Sequence, residues 1–274
     1  MTGLEETRAA WDRVAPGYDK TNTATQMWLA REALERAGLR PDMRFLDVAA
    51  GSGALSVPAA RLGARVTAID LSPVMLELLT QRARRERLSI ETRVMDGHAL
   101  GLETNRFDMA GSQFGVMLFP DMPKGIREMA RVVKPGGHVL VVAYGDPLKI
   151  EFLTLLVQAV QSVRPEFKGP PMDPPPLPFQ LRDPERLRQE LVLAGLRDVR
   201  VDIITESTKF RNGGELWEWI IWSNPIVEHV LGELSVTSSE RQMIARELER
   251  LVQERSAGEP AVLTNPINIG VATK

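Results

Sequence analysis

The 274-residue chain contains no cysteine, which excludes disulfides, thiolate metal sites and cysteine nucleophiles. It also lacks charge of one sign. Lys and Arg number 34 against 36 Asp and Glu, a formal net charge of −2, so nothing draws it electrostatically to nucleic acid or to an anionic membrane. No apolar run approaches the ~20 residues that cross a bilayer. The first twenty residues interleave Glu5, Glu6, Arg8, Asp12 and Arg13 with apolar positions, so no secretory core is read there and cytoplasmic residence is expected. No nucleophile triad or metal-ligand cluster stands out; no metal is expected and the catalytic residue stays unassigned.

What the chain has is hydrophobic content of 43%, ample for one large α/β domain. It also has one stretch around which the rest is organised. Phe45-Leu46-Asp47-Val48-Ala49-Ala50-Gly51-Ser52-Gly53 runs from an apolar segment into a small-residue loop, and a helical pattern follows from Ala54 to Leu62. A second β-like run, Arg65–Ile69, ends on Asp70. This reads as strand, glycine turn, helix, strand. Gly51 and Gly53 let a ligand lie against the main chain at the positive end of a helix, and Asp70 stands where doubly wound folds place a carboxylate for ribose hydroxyls.

Gly51-x-Gly53-x-x-Ser56 is close to a dinucleotide fingerprint, so an NAD(P)-dependent dehydrogenase is one reading. Asp47 argues against it. A carboxylate ~4 Å from a pyrophosphate meets about 4 kcal/mol of repulsion per unit charge at an effective dielectric near 20, whereas a ligand carrying an ammonium group and no phosphate is attracted.

The segment Asp47-Val48-Ala49-Ala50-Gly51-Ser52-Gly53 resembles motif I of the class I S-adenosylmethionine-dependent methyltransferases, in the form found in the ubiquinone/menaquinone biosynthesis group and its small-molecule relatives. Ala50 and Ser52 depart conservatively from the Cys and Thr of that form. Trp11-Asp12-Arg13-Val14-Ala15-Pro16-Gly17-Tyr18-Asp19 is similar to the arm that precedes motif I in the same group, and Val133-Lys134-Pro135-Gly136-Gly137 to its turn into the fifth strand. The resemblance covers roughly residues 11–143. It implies a doubly wound, seven-stranded, mostly parallel sheet whose final strand is antiparallel, with helical cap insertions. It also implies methyl transfer from S-adenosylmethionine to an O, N or C atom of a small acceptor, leaving S-adenosylhomocysteine. A protein that binds the cofactor without turnover is the other alternative.

Carried over residue by residue, the resemblance implies cofactor contacts from Tyr18, Asp47, Ala49, Gly51, Gly53, Asp70, Leu71 and Met75. It adds Asp96 and Gly97 at the adenine, with His98 beside them, and Gln113 and Phe114 at the end of the fourth strand. For Trp11 and Tyr18 the alternative is anchoring of a terminal helix, and for His98 an exposed turn. Expected acceptor contacts are Tyr144, Trp219 and Trp222.

The expected organisation is an N-terminal helical arm (1–40), a cofactor core (41–145), an insertion (146–181) and a helical cap (207–256) between the last two strands. The proline-dense stretch from Gly169 to Phe179 is read as extended polyproline, either a semi-rigid lid or an inert connector. Val199–Thr205 is read as the sixth strand and Asn268–Ala272 as the last. A small-molecule acceptor is the expected partner, with no nucleic acid, no membrane insertion, and a monomer or homodimer.

Overall fold

The computed structural model describes residues 3–170, 172–256 and 259–274, without the side chain of His229. Pro171, within the proline stretch, lies outside them. Seven strands form one sheet: β1 (Arg44–Val48), β2 (Arg65–Asp70), β3 (Ile90–Val94), β4 (Phe107–Gln113), β5 (Val133–Tyr144), β6 (Arg197–Phe210) and β7 (Ala261–Thr273). Their order is β3-β2-β1-β4-β5-β7-β6. All pairings are parallel except those of β7, which runs antiparallel between β5 and β6. The order reverses between β1 and β4, and that switch point opens the crevice at the carboxyl ends of the strands.

The chain begins with α1 (Gly3–Tyr18), which passes through a π-helical turn at Asp19–Thr23 into α2 (Ala24–Arg36). The crossovers are α3 (Ser56–Arg61), α4 (Pro73–Arg85), α5 (Met122–Val132), α6 (Glu151–Gln161) and α7 (Pro184–Leu193). Their starts follow local chemistry. Ser72 accepts from Met75 N, Asp121 from Lys124 N and Asp183 from Glu185 N, each with a proline in the first helical turn.

Alternation along β7 assigns the sheet faces. Gly270 packs against Leu187 and Leu191 of α7, and Asn268 donates to the Leu181 and Arg182 carbonyls on the same side. The opposite face holds Gln113, which donates to the Gln26 carbonyl of α2, and Asp202, which pairs with Arg36 at the end of α2. By register Tyr144, Asn265 and Glu206 share that second face.

Strands six and seven are longer than the sequence reading allowed. β6 continues from Thr205 to Phe210, and β7 begins at Ala261 rather than Asn268. The added halves escaped notice because their inward positions include polar residues. Glu206, Thr208 and Phe210 are buried while Ser207 and Lys209 are exposed, so period two is present without an apolar run. This extended ribbon carries α8 (Gly213–Ser223), α9 (Pro225–Glu233) and α10 (Ser238–Ser256). Phe210, Leu216, Trp219, Ile220, Leu231, Ile244 and Leu248 form a second core there with Leu155 and Val160 of α6. The boundary drawn at 207 therefore falls within β6, and the helices start at Gly213.

Gly53 belongs to packing. Its φ is +101°, and a Cβ on it would lie 2.4 Å from Leu79 Cδ1, a buried residue of α4. Gly53→Ala is expected to cost about 2–4 kcal/mol, combining overpacking with backbone strain. Chemical denaturation should show a lowered midpoint with an unchanged slope.

Candidate active site

Two cavities meet above the switch point. The first, about 1090 Å³ including its mouth, is lined by the β1–α3 loop, the ends of β2 and β4, the segment after β3, and α1. It gathers Tyr18, Asp47, Ala49, Gly51, Asp70, Leu71, Met75, Asp96, Gly97, His98, Gln113 and Phe114. Gly53 is the expected cofactor contact that does not line it.

Asp47 is fully buried. Its Oδ2 accepts from Ser56 Oγ at 2.6 Å, and its Oδ1 has no partner. Burial pushes the carboxyl up to about 7; the Ser56 hydrogen bond opposes the shift and the Asp70 charge adds to it. An acceptor oxygen so placed fits a cationic ligand group. Ala49 beside it holds φ at +58°, uncommon for a residue with a Cβ and typical of functional loops.

Asp70 ties the loop to α4. Its Oδ2 accepts from Gly51 N and its Oδ1 from Ser72 N, both at 2.8 Å. Burial raises its pKa, opposed by the Ser72, Gly51 and Leu71 N–H groups. A carboxylate offers about four acceptor positions, so with these three N–H groups on it at least one stays open for a ligand hydroxyl. Asp70→Ala should therefore weaken S-adenosylhomocysteine at least tenfold, since charge-assisted hydrogen bonds contribute ~1.5–3 kcal/mol each. Calorimetry on the folded variant checks it.

At the β3 end, Asp96 Oδ1 accepts from His98 N at 2.9 Å and meets His98 Nδ1 at 2.8 Å. Burial works against ionisation of Asp96, but the hydrogen bonds and charge of His98 win and hold its pKa below the usual range. His98 is not an exposed turn residue. It is half-buried, with its ring 4.5 Å from that of Phe119. Gly97 leaves room for the Phe119 ring, which a Cβ would approach to 2.4 Å.

Tyr18 lies over the glycine loop, its Cε1 3.9 Å from where a Gly51 Cβ would stand. Its hydroxyl donates to Gln26 Oε1 at 3.0 Å. Gln113 Oε1 is buried without a partner. Phe114, at φ +55°, turns its ring onto Tyr144, with centroids 4.6 Å apart and planes at 22°.

The second cavity, about 1380 Å³ with its opening, adjoins the first through Trp11, Tyr18, Phe114 and Leu118. Its wall is largely apolar: Tyr144, Phe152, Leu156, Val157, Phe167, Phe179, Ile220, Ile226 and Val227 line it, with Pro170, Pro176 and Pro178. The proline stretch is thus a wall of this cavity rather than an inert connector, and Leu177–Phe179 forms a 3-10 turn instead of extended polyproline.

Two expected acceptor contacts lie elsewhere. Trp219 is buried edge-on against Phe152 and Phe210 in the cap core. Trp222 packs against Gly17, where a Cβ would come within 2.2 Å of its ring, and lines an adjoining groove that shares Trp11, Leu118, Asn224 and Ile226 with the second cavity. Neighbouring cap residues, Ile220, Ser223 and Asn224, line the cavity instead.

The sequence reading also missed Leu4 and Thr7, which line the first cavity with Trp11 and Tyr18. Their spacing of three, four and seven places all four on one stripe of a helix, a signal that was available. Phe119 gave no such sign.

Residues 46–141 match the methyltransferase domain family. Over 165 residues the chain is 34% identical to the demethylmenaquinone methyltransferase of Renibacterium salmoninarum, covering 59% of this chain and 68% of that relative. The chain belongs to the class I S-adenosylmethionine-dependent methyltransferases. S-adenosylmethionine is its cofactor and methyl transfer to a small molecule its activity, so the dehydrogenase and non-enzymatic readings fall away. Solved structures share the fold of this methyltransferase. The YcgJ protein from Bacillus subtilis, 16% identical, superposes with a TM-score of 0.56 over 91% of this chain and 97% of its own. Phosphoethanolamine N-methyltransferase 2 from Haemonchus contortus, 21% identical and solved with S-adenosyl-L-methionine, gives 0.51 over 90% and 52%. Among the described residues no helix is long and apolar enough to cross a membrane, and no group of three His, Asp or Glu could hold a metal.

Proposed function

We propose that this methyltransferase seats its cofactor in the first cavity and methylates a ring carbon of an apolar aromatic acceptor held in the second. The observation that carries the reading is the contrast between the joined cavities: one ends on an unpartnered buried carboxylate oxygen, and the other is walled by aliphatic and aromatic side chains. Asp47 would receive the ammonium group, Asp70 the ribose hydroxyls and Asp96 the adenine amino group. Gly51 would admit the ligand to the main chain, and Tyr18 would close over it. Leu71, Met75, Gly97 and His98 would surround the base, while Gln113 and Phe114 would bound the methionine end. The bound cofactor supplies a methyl group already activated on a sulfonium centre.

The protein's task is then placement. Phe114 and Tyr144 form an aromatic step between the cavities on which a flat acceptor would stack, and positioning of this kind supplies about 7–11 kcal/mol. The relative's name, demethylmenaquinone methyltransferase, points to a naphthoquinol bearing an apolar chain, and the apolar second cavity supports that class. The balanced charge supports an enzyme without a nucleic-acid partner; a cytoplasmic monomer or homodimer is part of the same proposal.

Incubation with S-adenosylmethionine and chemically reduced demethylmenaquinone in detergent tests the reading. A product heavier by one methylene, with the methyl on the ring by mass spectrometry, is expected. Turnover confined to hydrophilic acceptors overturns it.

A further inference from the structure

Glu190 and Glu206 are both nearly inaccessible. Glu190 pairs with Arg186 at 2.5 Å. Glu206 has no cation among the described residues; its Oε2 accepts from Asn265 Nδ2 at 3.2 Å, and Asn265 Oδ1 is itself buried without a partner. A buried acid without a counter-ion costs stability, so its presence asks for a task.

Its place suggests one. Glu206 lies opposite Asn265, one pleat beyond the row Ile204, Ile267, Tyr144 and on the same sheet face. Tyr144 lines the second cavity, and among the described residues its hydroxyl has no hydrogen-bond partner although its ring is fixed against Phe114. Removal of a proton from an acceptor in so apolar a cavity needs a receiving group, and water is a poor candidate there.

We propose that Glu206, oriented by Asn265, is the proton sink of the methyl transfer and that the Tyr144 hydroxyl relays the proton to it from the acceptor. The inference rests on the apolar-acceptor reading. The acceptor's bond to hydrogen breaks as its electron pair bonds the methyl group, and the pair that held the methyl stays on sulfur. The proton passes to the Tyr144 oxygen, and Tyr144, whose hydroxyl is not hydrogen-bonded to Glu206 in the free protein, gives its own to that carboxylate once the seated acceptor brings the two groups within reach. A carboxylate and a sulfonium are both neutral afterwards, so a pair of separated charges disappears from a dry site.

Electrostatics agree with this placement. Burial pushes Glu206 up to about 7, with the Asn265 hydrogen bond opposing. Burial and then the Glu206 charge raise Tyr144, and the same charge is felt by Tyr18. The titratable groups facing this region are Tyr18 from α1 and Tyr144 from β5, with Asp47 and Asp70 acting on Tyr18 from beyond the loop, and Glu233 of α9 also lines the second cavity. Glu206 can receive a proton only when ionised, so turnover should rise with pH through about 7.

Glu206→Gln keeps the shape and the hydrogen bond to Asn265 but cannot take the proton. The probes are 2-naphthol, which must lose a proton, and 2-naphthalenethiol, an arylthiol already ionised at about pH 8. Expected for Glu206→Gln is a ~100-fold lower kcat on 2-naphthol with KM little changed, a flattened pH profile, and thiol methylation within about twofold of wild type. Glu206→Asp should recover part of the loss. Calorimetry should show S-adenosylhomocysteine and 2-naphthol binding to Glu206→Gln as to wild type. Tyr144→Phe, made in parallel, should show the same split and decides the matter if Glu206→Gln does not fold. Equal slowing of both probes, or of neither, removes Glu206 from the reaction and leaves the acceptor reading standing. Failure of wild type on both probes overturns the acceptor reading and this inference with it.

Discussion

Asp47→Asn is expected to lower affinity for S-adenosylhomocysteine by more than a hundredfold without unfolding the protein. The amide oxygen of the variant would still accept the Ser56 hydroxyl that now bonds Oδ2 at 2.6 Å, so the loop keeps its anchor. What disappears is the charge that the unpartnered Oδ1 holds toward the cavity. Breaking a buried ion pair by neutralising one partner costs about 3–5 kcal/mol, and 1.4 kcal/mol is tenfold in affinity. The variant should also gain stability when free. The unfolded chain loses the Asp47 proton near pH 4, whereas the folded protein keeps it up to about 7. The folded form is thus favoured most at low pH, and that advantage is lost as pH rises through 7. At neutral pH wild type carries an uncompensated buried charge worth up to about 4 kcal/mol, which the neutral amide lacks. Wild-type affinity should fall below pH 7 as Asp47 protonates, and that slope should vanish in the variant. Calorimetry across this range, beside thermal melts of the free proteins, reads both effects. Unchanged affinity would make Asp47 an anchor for Ser56 alone.

Deleting residues 1–12 should reduce turnover on the order of 100-fold, the scale of roughly 1 Å misplacements in an active site, while shifting the melting temperature by only a few degrees. Residues 3–9 are exposed although Gly3, Leu4 and Thr7 line the first cavity. Such a segment covers a ligand without supporting the core. Asp12 accepts from Ser72 Oγ at 2.5 Å, and the buried Val14 and Ala15 follow it. The deletion stops short of those two core residues and of Tyr18. Hydrogen exchange should show residues 3–12 weakly protected in the free protein and slowed by S-adenosylhomocysteine. Full protection before ligand binding, or a truncation that simply unfolds, would place α1 in the core and remove its role as a cover.

The β1–α3 loop, Asp70, the capped start of α4 and the acidic segment after β3 were legible because each is a local event. A glycine turn, a Ser-Pro helix start or a strand ending on an acid depends on neighbours within a few residues. The cap was legible as helices but not as a surface. Trp217, Trp219 and Trp222 are all prominent in sequence, yet which of them meets a ligand depends on the rotation of α8 against β6, α6 and α1. That rotation buries Trp219 between Phe152 and Phe210 and turns Trp222 onto Gly17.

The sequence by itself determined the family, the cofactor and the sheet end at which the expected cofactor residues gather, since those properties reside in contiguous motifs whose backbone geometry fixes their chemistry. Only the tertiary structure decided the second cavity and the buried Glu206. Its walls come from α1, β5, α6, the proline stretch and the cap, segments far apart along the chain. The register of β5, β7 and β6 puts Tyr144, Asn265 and Glu206 on one face. A glutamate in a polar-looking stretch reads as solvated until the pairing of distant strands takes its water away.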